Sequence, residues 1–167
     1  MAKLLCYSQY EFDEICKANR WDSDSIPNEN AYISIIGSPD CIKHYLREPQ
    51  EHYFKENNAR ICNLEFDDIS EDYRIWKGLT FYGISMDQAE ELVKFIENNK
   101  GKNFYIHCLA GQSRSQGVVR FILDTYPDIY TEKDTRIDNP CETPNIDVVV
   151  KLKRAWRKLY GGYEVET

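Results

Sequence analysis

The chain has 167 residues, of which 42% are hydrophobic and 29% are charged, values typical of one domain that builds its own hydrophobic core. Lys plus Arg number 21 against 28 Asp plus Glu, a formal net charge of −7. Binding to duplex nucleic acid needs a basic surface, so this balance argues against duplex DNA or RNA as the main partner. We therefore expect a single folded domain over residues 1–167, in which any anion-binding site is local.

The N-terminal residues lack the long apolar stretch of a secretory signal, and no apolar run approaches the roughly 18 residues of a membrane span. We therefore expect a cytoplasmic protein without a membrane span. In that reducing compartment the six cysteines are expected to remain thiols, most of them as small buried side chains. Three histidines and no Cys-x-x-Cys pair provide no zinc ligand set, so neither a metal nor an organic cofactor is expected.

The first part of the chain alternates between strand and helix patterns. Strands are predicted at residues 4–7, 31–36 and 60–66. Helices are predicted at residues 10–20 and 40–48, the second of which ends before Pro49. An acidic loop over residues 67–72 follows the third strand.

In the later part, Ser85 and Gln88 have the spacing of a capping box, and apolar residues follow at helical spacing, which predicts a helix over residues 86–98. A strand at 104–107 leads through a turn at Gly111 into a helix that starts at about Gln112. The pair Thr143 and Pro144 is typical of the cap and first turn of a last helix. This alternation favours an α/β fold with a central, mostly parallel sheet of about four to five strands flanked by helices.

The most informative segment lies between the strand at 104–107 and the helix that follows it. Cys108 and Arg114 enclose five residues there. Chance alone gives roughly 0.3 such pairs in a chain of this composition, and Cys41 and Arg47 have the same spacing. That second pair falls inside a predicted helix, whose amides are already bonded to carbonyls, so we interpret it as accidental.

The residues between Cys108 and Arg114 suit phosphate chemistry. Ala110, Gly111 and Ser113 are small, which lets the backbone curl so that successive N–H groups point inward and bind a phosphate dianion. The following helix adds its N-terminal dipole and free amides. The same field favours the nucleophilic thiolate of Cys108, and the planar guanidinium of Arg114 can hold two phosphoryl oxygens.

The run His107-Cys108-x-Ala110-Gly111-x-Ser113-Arg114-Ser115 resembles the signature loop of cysteine-based protein tyrosine and dual-specificity phosphatases. The resemblance to short dual-specificity-like proteins of bacteria and phages covers most of the chain, including the opening strand and helix, residues 63–69 and residues 139–145. It implies a protein tyrosine phosphatase-like fold and a phosphorylated protein or peptide as substrate. It also implies two-step hydrolysis, in which Cys108 forms a cysteinyl-phosphate that water then hydrolyses.

The resemblance also implies a role for each residue of the signature. Cys108 corresponds to the nucleophile and Arg114 to the phosphate clamp. Ser115 corresponds to the hydroxyl that eases departure of the cysteine sulfur, and His107 to a histidine that hydrogen-bonds the loop without transferring protons. The phosphate cradle corresponds to the backbone amides of Leu109, Ala110, Gly111, Gln112, Ser113 and Arg114.

The proton donor of this family is an aspartate on a separate loop. Aligning residues 64–66 with the family's hydrophobic strand makes Asp68 the better match and Asp67 the second choice. Asp68 lies 40 residues before Cys108, farther than is usual in compact members, so Asp72 also remains open. The alternative is a solvated acidic turn without a catalytic role.

Other interpretations remain open at this point. A phosphate-binding module without turnover is favoured if neither aspartate reaches the cradle, and the substrate can instead be a phosphoinositide, a nucleotide or an RNA 5′ end. The absence of Lys and Arg between Cys108 and Arg114 disfavours phosphoinositides. The basic residues 151–158 are interpreted as a solvated helix face, with steering of an anionic substrate as the alternative.

A reversible disulfide between Cys62, or another thiol, and Cys108 is a further hypothesis. Neither the choice among phosphotyrosine, phosphoserine and phosphothreonine nor the oligomeric state follows from the sequence.

Overall fold

The fold is described from a computed structural model, in which residues 2–39, 42 and 50–161 are described. The strands, in chain order, are β1 (Leu4–Ser8), β2 (Asn30–Ile36), β3 (Ile61–Glu65), β4 (Tyr73–Trp76), β5 (Leu79–Tyr82), β6 (Asn103–Cys108) and β7 (Thr135–Ile137). The helices whose full extent is described are α1 (Gln9–Ala18), α2 (Met86–Asn99), α3 (Ser113–Thr125) and α4 (Ile146–Tyr160). The helix predicted over 40–48, with Cys41 and Arg47, lies outside the described residues except for Ile42.

Five strands form one sheet in the order β3-β2-β6-β1-β7, and every neighbouring pair in it is parallel. This confirms the predicted α/β fold with a mostly parallel central sheet. Strand β2 is buried over its whole length, as expected for a parallel strand covered on both faces. The middle strand, β6, ends at Cys108, which is aligned with Ser8 at the end of β1. Cys108 therefore lies at the carboxyl edge of the sheet, where open α/β sheets bind their ligands.

The sheet separates two hydrophobic clusters. On one face, α2, α3 and α4 pack on the strands and bury residues that include Leu92, Val118 and Leu152. On the other face, α1 contributes Phe12 to an aromatic cluster with Tyr32 and Phe54. The ring of His107 contacts Phe12, with centroids 4.4 Å apart. The aromatic cluster therefore packs directly against the residue before Cys108.

Several local signals in the sequence are found in the structure. Ser8 caps α1 by accepting a hydrogen bond from the Glu11 amide. The capping box of Ser85 and Gln88 is present at the start of α2. The prediction for the last helix was wrong by two residues, because Asn145 rather than Thr143 is its N-cap. The Asn145 side chain accepts hydrogen bonds from the amides of residues 147 and 148.

The sequence analysis did not predict β7 or the hairpin of β4 and β5. The hairpin is antiparallel and separate from the main sheet. Its two turn residues, Lys77 and Gly78, both have positive φ angles, +50° and +76°, as in the type I′ turns that match the twist of a hairpin. All four residues of β4 are exposed. A strand without a buried face is not required to alternate polar and apolar residues, which is the pattern that predicts a half-buried strand.

No helix among the described residues is long and apolar enough to cross a membrane. The five cysteines within the described part of the chain are free thiols.

Candidate active site

Residues 108–114, named here the Cys108 loop, connect the end of β6 to the start of α3. Gly111 has a φ of +70°, and a Cβ atom on it would lie 2.5 Å from the carbonyl carbon of Tyr7 and 2.6 Å from the amide nitrogen of Ser8. Only glycine combines this conformation with so close an approach to backbone atoms. The Cys108 loop is therefore packed directly on the end of β1.

The backbone carbonyls of the Cys108 loop accept hydrogen bonds from groups outside the cradle. The donors are His107 Nδ1 to Cys108 at 3.1 Å, Gln9 N to Leu109 at 3.1 Å, Asn139 Nδ2 to Ala110 at 3.5 Å, Gln116 Nε2 to Gly111 at 2.8 Å and Asn145 N to Ser113 at 3.0 Å. Each peptide is trans, so the N–H that follows each carbonyl points the opposite way. The tethered carbonyls thus turn the amides toward the centre of the loop.

The backbone N–H groups of residues 109–114 donate no hydrogen bond within the described part of the fold. No side chain among the described residues caps α3 at Gln112. Unused amides at a helix N-terminus, together with the helix dipole, form an anion-binding site. This geometry can therefore bind an anion.

Arg114 lies beside the cradle and is 8% exposed. Its Nη1 donates to the carbonyl of Phe66 at 2.8 Å. Its Nε is buried and has no hydrogen-bond partner among the described residues. A buried donor without an acceptor costs about 1–3 kcal/mol, so this arrangement is stabilised by an anion that accepts from Arg114.

Cys108 is 2% exposed at the base of the loop, and its sulfur lies 3.1 Å from Ser115 Oγ. The Cys6 thiol donates to the same Ser115 oxygen at 3.3 Å. Burial raises the pKa of the Cys6 thiol to about 12, so Cys6 remains protonated and acts as a donor. The Ser115 hydroxyl is then free to donate its hydrogen to the Cys108 sulfur.

Cys6 was missed as a site residue, and the strand order places Cys6, rather than Cys62, beside Cys108. Cys62 lies on β3, which is separated from β6 by β2, a distance of roughly 10 Å for two strand spacings. Cys6 lies on β1, directly beside β6. The order of the strands, which the sequence does not determine, decides which thiol lies near Cys108.

Asp68 is brought to the Cys108 loop. Its Oδ1 accepts hydrogen bonds from Ser113 Oγ at 2.7 Å and from Asn145 Nδ2 at 2.8 Å. Asn145 also donates to the carbonyl of Ile69 at 3.1 Å while it caps α4. The start of α4 therefore holds the acidic loop against the Cys108 loop, a role for Asn145 that the sequence analysis did not identify.

The other two candidate aspartates have different surroundings. Asp67 is 2% exposed, and its carboxylate accepts from the amide and hydroxyl of Ser38 and from the amide of Tyr82, at 2.6–2.8 Å. Asp72 bonds Lys151 Nζ at 2.8 Å and does not line the cavity that contains Cys108. Asp67 also lines that cavity, but its carboxylate is engaged by these three donors, whereas the Asp68 carboxylate is bonded to Ser113 of the Cys108 loop.

The unpredicted hairpin explains the long separation of Asp68 from Cys108 and forms one wall of the site. The cavity has a volume of about 490 Å³. Asp68, Cys108 and Arg114 line it together with a side wall of Ile69, Arg74, Trp76, Phe81 and Leu109. Arg74 forms an ion pair with Glu71. The wall is therefore largely aromatic and aliphatic.

Three of the five basic residues in 151–158 are paired with carboxylates. Lys151 is buried and binds Asp72, Asp147 and the carbonyl of Ile84. Lys153 pairs with Asp124 and Lys158 with Glu90. The interpretation as a fully solvated helix face is wrong for Lys151, and these carboxylates oppose the steering of an anionic substrate by this segment.

His107 is fully buried, and its Nε2 lies 2.6 Å from Ser34 Oγ. The same hydroxyl lies 2.7 Å from His52 Nδ1. Burial lowers the pKa of His107 to about 3 and that of His52 to about 4. Both rings are therefore neutral near pH 7.

Comparisons of the chain with protein-family models, with curated proteins and with solved structures gave no match. Among the described residues, no three His, Cys, Asp or Glu side chains are arranged to hold a metal ion. The chemistry of the site is therefore inferred from the residues of the cavity and their contacts.

Replacement of the two adjacent aspartates should have unequal effects on stability. Asp67→Ala removes a buried carboxylate with three donors, and we expect the free energy of unfolding to fall by about 2–4 kcal/mol. Asp68→Asn keeps an acceptor at an exposed position, and we expect a change below about 1 kcal/mol. Urea denaturation measures both, and equal losses would contradict the roles assigned to Asp67 and Asp68.

The two neutral histidines should make the fold sensitive to acid. In the unfolded chain both titrate near 6.5, whereas in the fold they titrate at about 3 and 4, so protons bind preferentially to the unfolded chain between these values. The free energy of unfolding should fall as the pH drops below about 6.5, by up to about 1.4 kcal/mol per pH unit for each histidine. Urea denaturation between about pH 7 and pH 5 measures this slope. His52→Asn should remove the part due to one histidine, and an unchanged slope would contradict a neutral His52.

Proposed function

We propose that this chain hydrolyses phosphomonoesters as a cysteine-dependent protein tyrosine or dual-specificity phosphatase. The observation that supports this most directly is the Cys108 loop, whose carbonyls are tethered away from the cradle while its amides have no partner among the described residues. Within the same part of the chain, the buried guanidinium of Arg114 has an unpaired donor, and the cysteine sulfur lies at the base of the same cavity. A phosphate dianion matches all three features at once.

In the first step, the cradle amides and Arg114 bind the phosphoryl oxygens, which places phosphorus over the Cys108 thiolate. A sulfur–phosphorus bond forms, and the bond from phosphorus to the leaving oxygen breaks. Asp68 donates a proton to that oxygen, so an alcohol or phenol departs. The hydrogen bonds from Ser113 and Asn145 hold the Asp68 side chain beside the cradle for this transfer.

In the second step, water attacks phosphorus and the sulfur–phosphorus bond breaks. The Asp68 carboxylate accepts the proton of the water, so inorganic phosphate leaves and the acid is restored. The Ser115 hydroxyl lies 3.1 Å from the Cys108 sulfur and donates to the departing thiolate, which can only accept. This is covalent catalysis in which one difficult displacement is divided into two.

Two observations bear on the alternatives. Asp68 contacts Ser113 at the cradle, which opposes a phosphate-binding module without a proton donor. Among the described residues, the cations that line the cavity are Arg74 and Arg114, and Arg74 is paired with Glu71. That leaves little positive charge for a phosphoinositide or another polyanion, and the aromatic wall favours a phosphorylated side chain of a protein or peptide.

A thiolate nucleophile and free cysteines are compatible with reducing surroundings, which supports a cytoplasmic location as part of the proposal.

The test is phosphate release from a small aryl phosphate and from phosphotyrosine, phosphoserine and phosphothreonine peptides, between about pH 5 and pH 8. We expect turnover with the native chain and none with Cys108→Ser. Asp68→Asn should lower kcat by about 10²–10⁴-fold, because an amide cannot supply a proton to the leaving oxygen. Asp72→Asn replaces a neighbouring aspartate that does not line the cavity and is the matched control, with native turnover expected.

Turnover that survives Cys108→Ser would contradict the cysteine mechanism. Absence of turnover on every substrate, together with phosphate binding that depends on Arg114, would instead support the phosphate-binding module.

A further inference from the structure

A hydrogen-bonded relay connects the outer edge of the aromatic cluster to the Cys108 loop. It runs from His52 Nδ1 to Ser34 Oγ at 2.7 Å, from Ser34 Oγ to His107 Nε2 at 2.6 Å, and from His107 Nδ1 to the carbonyl of Cys108 at 3.1 Å. Ser34 and His107 are buried, and the His52 side chain is 13% exposed. Water is therefore excluded from the middle of the relay.

The direction of each hydrogen bond follows from the last acceptor. A carbonyl oxygen only accepts, so His107 must carry its hydrogen on Nδ1. The neutral ring then has a lone pair on Nε2, which requires the single hydrogen of the Ser34 hydroxyl. Ser34 can then only accept from its other neighbour, so the hydrogen of His52 must be on Nδ1. All three hydrogen bonds of the relay are satisfied in this arrangement.

The opposite arrangement conflicts with the cradle. If position 52 only accepted, Ser34 would donate to it and could offer His107 only a lone pair. His107 would then place its hydrogen on Nε2, and its Nδ1 lone pair would face the Cys108 oxygen 3.1 Å away. Repulsion between these atoms would rotate the peptide that joins Cys108 to Leu109, whose amide is part of the cradle.

The charged groups around His52 do not impose this opposite arrangement. The Glu65 carboxylate is 4.0 Å from His52 Nε2, too far for a hydrogen bond, and it is more than half exposed. Lys55 acts on His52 by its charge alone and lowers the pKa of the ring, as burial does. A proton gained by His52 would also leave the Nδ1 hydrogen in place.

We propose that His52 is a positioning residue for the phosphate cradle. Its Nδ1 donates to Ser34, so the Ser34 hydroxyl donates to His107 Nε2. The one ring hydrogen of His107 then lies on Nδ1 and is donated to the carbonyl of Cys108. The peptide plane is thereby fixed with the Leu109 amide toward the phosphate. The catalytic consequence rests on the proposed phosphatase function, whereas the relay itself is testable without turnover.

The first test is a long-range ¹⁵N–¹H NMR spectrum of the native protein at about pH 8, which distinguishes the two tautomers of each histidine. We expect the hydrogen on Nδ1 and an unprotonated Nε2 in both His52 and His107. A hydrogen on Nε2 of either ring would overturn the proposal, whatever the activity of the protein.

The second test uses two substitutions of equal shape. Asparagine places an amide donor near the position of His52 Nδ1, whereas aspartate only accepts there. His52→Asn should leave His107 Nε2 without a hydrogen, and His52→Asp should place one on it and shift the amide signal of Leu109. If the proposed function holds, kcat should fall by about 10-fold or more in the Asp variant, approaching the loss of one oxyanion donor. It should remain near the native value in the Asn variant.

The Ser34→Ala background separates the relay from a simple effect of charge. Without the bridging hydroxyl, His52→Asp should no longer change the protonation of His107. If His52→Asp changed the protonation of His107 equally with and without the Ser34 hydroxyl, the aspartate charge would act through space. That result would overturn the proposal. Identical tautomers of His107 in the Asn and Asp variants would overturn it as well.

Discussion

The site depends on how the carbonyls of the Cys108 loop are held. In a loop whose peptide groups are not held, N–H and C=O groups point in all directions. Such a loop binds an anion only weakly. Here five carbonyls are bonded to donors that come from α1, α3, His107, Asn139 and the cap of α4. Because the peptides are planar and trans, this outward tethering makes the inside of the loop a surface of donors. Folding orders those donors before any ligand binds, so binding need not order them.

The same constraint explains why elements far apart in the chain meet here. Gly111 allows the loop to rest on the end of β1, which brings Gln9 and Cys6 within reach of it. Asn145 caps α4, bonds the carbonyl of Ser113 and holds Asp68. Asp67 connects the acidic loop to the hairpin through the amide of Tyr82. Cys108, Asp68 and the aromatic wall therefore belong to one bonded assembly rather than to three independent loops.

The local part of this assembly could be predicted from the sequence. The candidate residues of the Cys108 loop lie within one short segment of the chain. Their spacing and residue types are therefore enough to select them as candidates. The fold class followed from the alternation of strands and helices, because each pattern reports burial of its own face. The choice of Asp68 over Asp67 needed the family resemblance as well as the residues, since two adjacent carboxylates look alike in sequence.

The supporting residues could not be predicted, because their partners are distant in sequence. Ser34 meets a histidine 73 positions away, and Cys6 meets a serine 109 positions away; both contacts depend on strand order and register. The hairpin wall was missed because β4 is exposed on both faces and so shows no periodicity. The start of α4 was placed too early because Thr143-Pro144 satisfies the local capping rule, whereas Asn145 is selected by its bonds to Asp68 and Ile69.

The most direct measurement of the central claim is an NMR titration of the native protein with inorganic phosphate, in which every backbone amide is followed. The account predicts that the amide signals of residues 109–114 shift together and saturate with one dissociation constant, and that Arg114→Lys, which keeps the charge but loses the planar fork, weakens this binding. Shifts scattered over surface lysines, or no shift at the Cys108 loop, would contradict the assignment of these amides as a phosphate cradle.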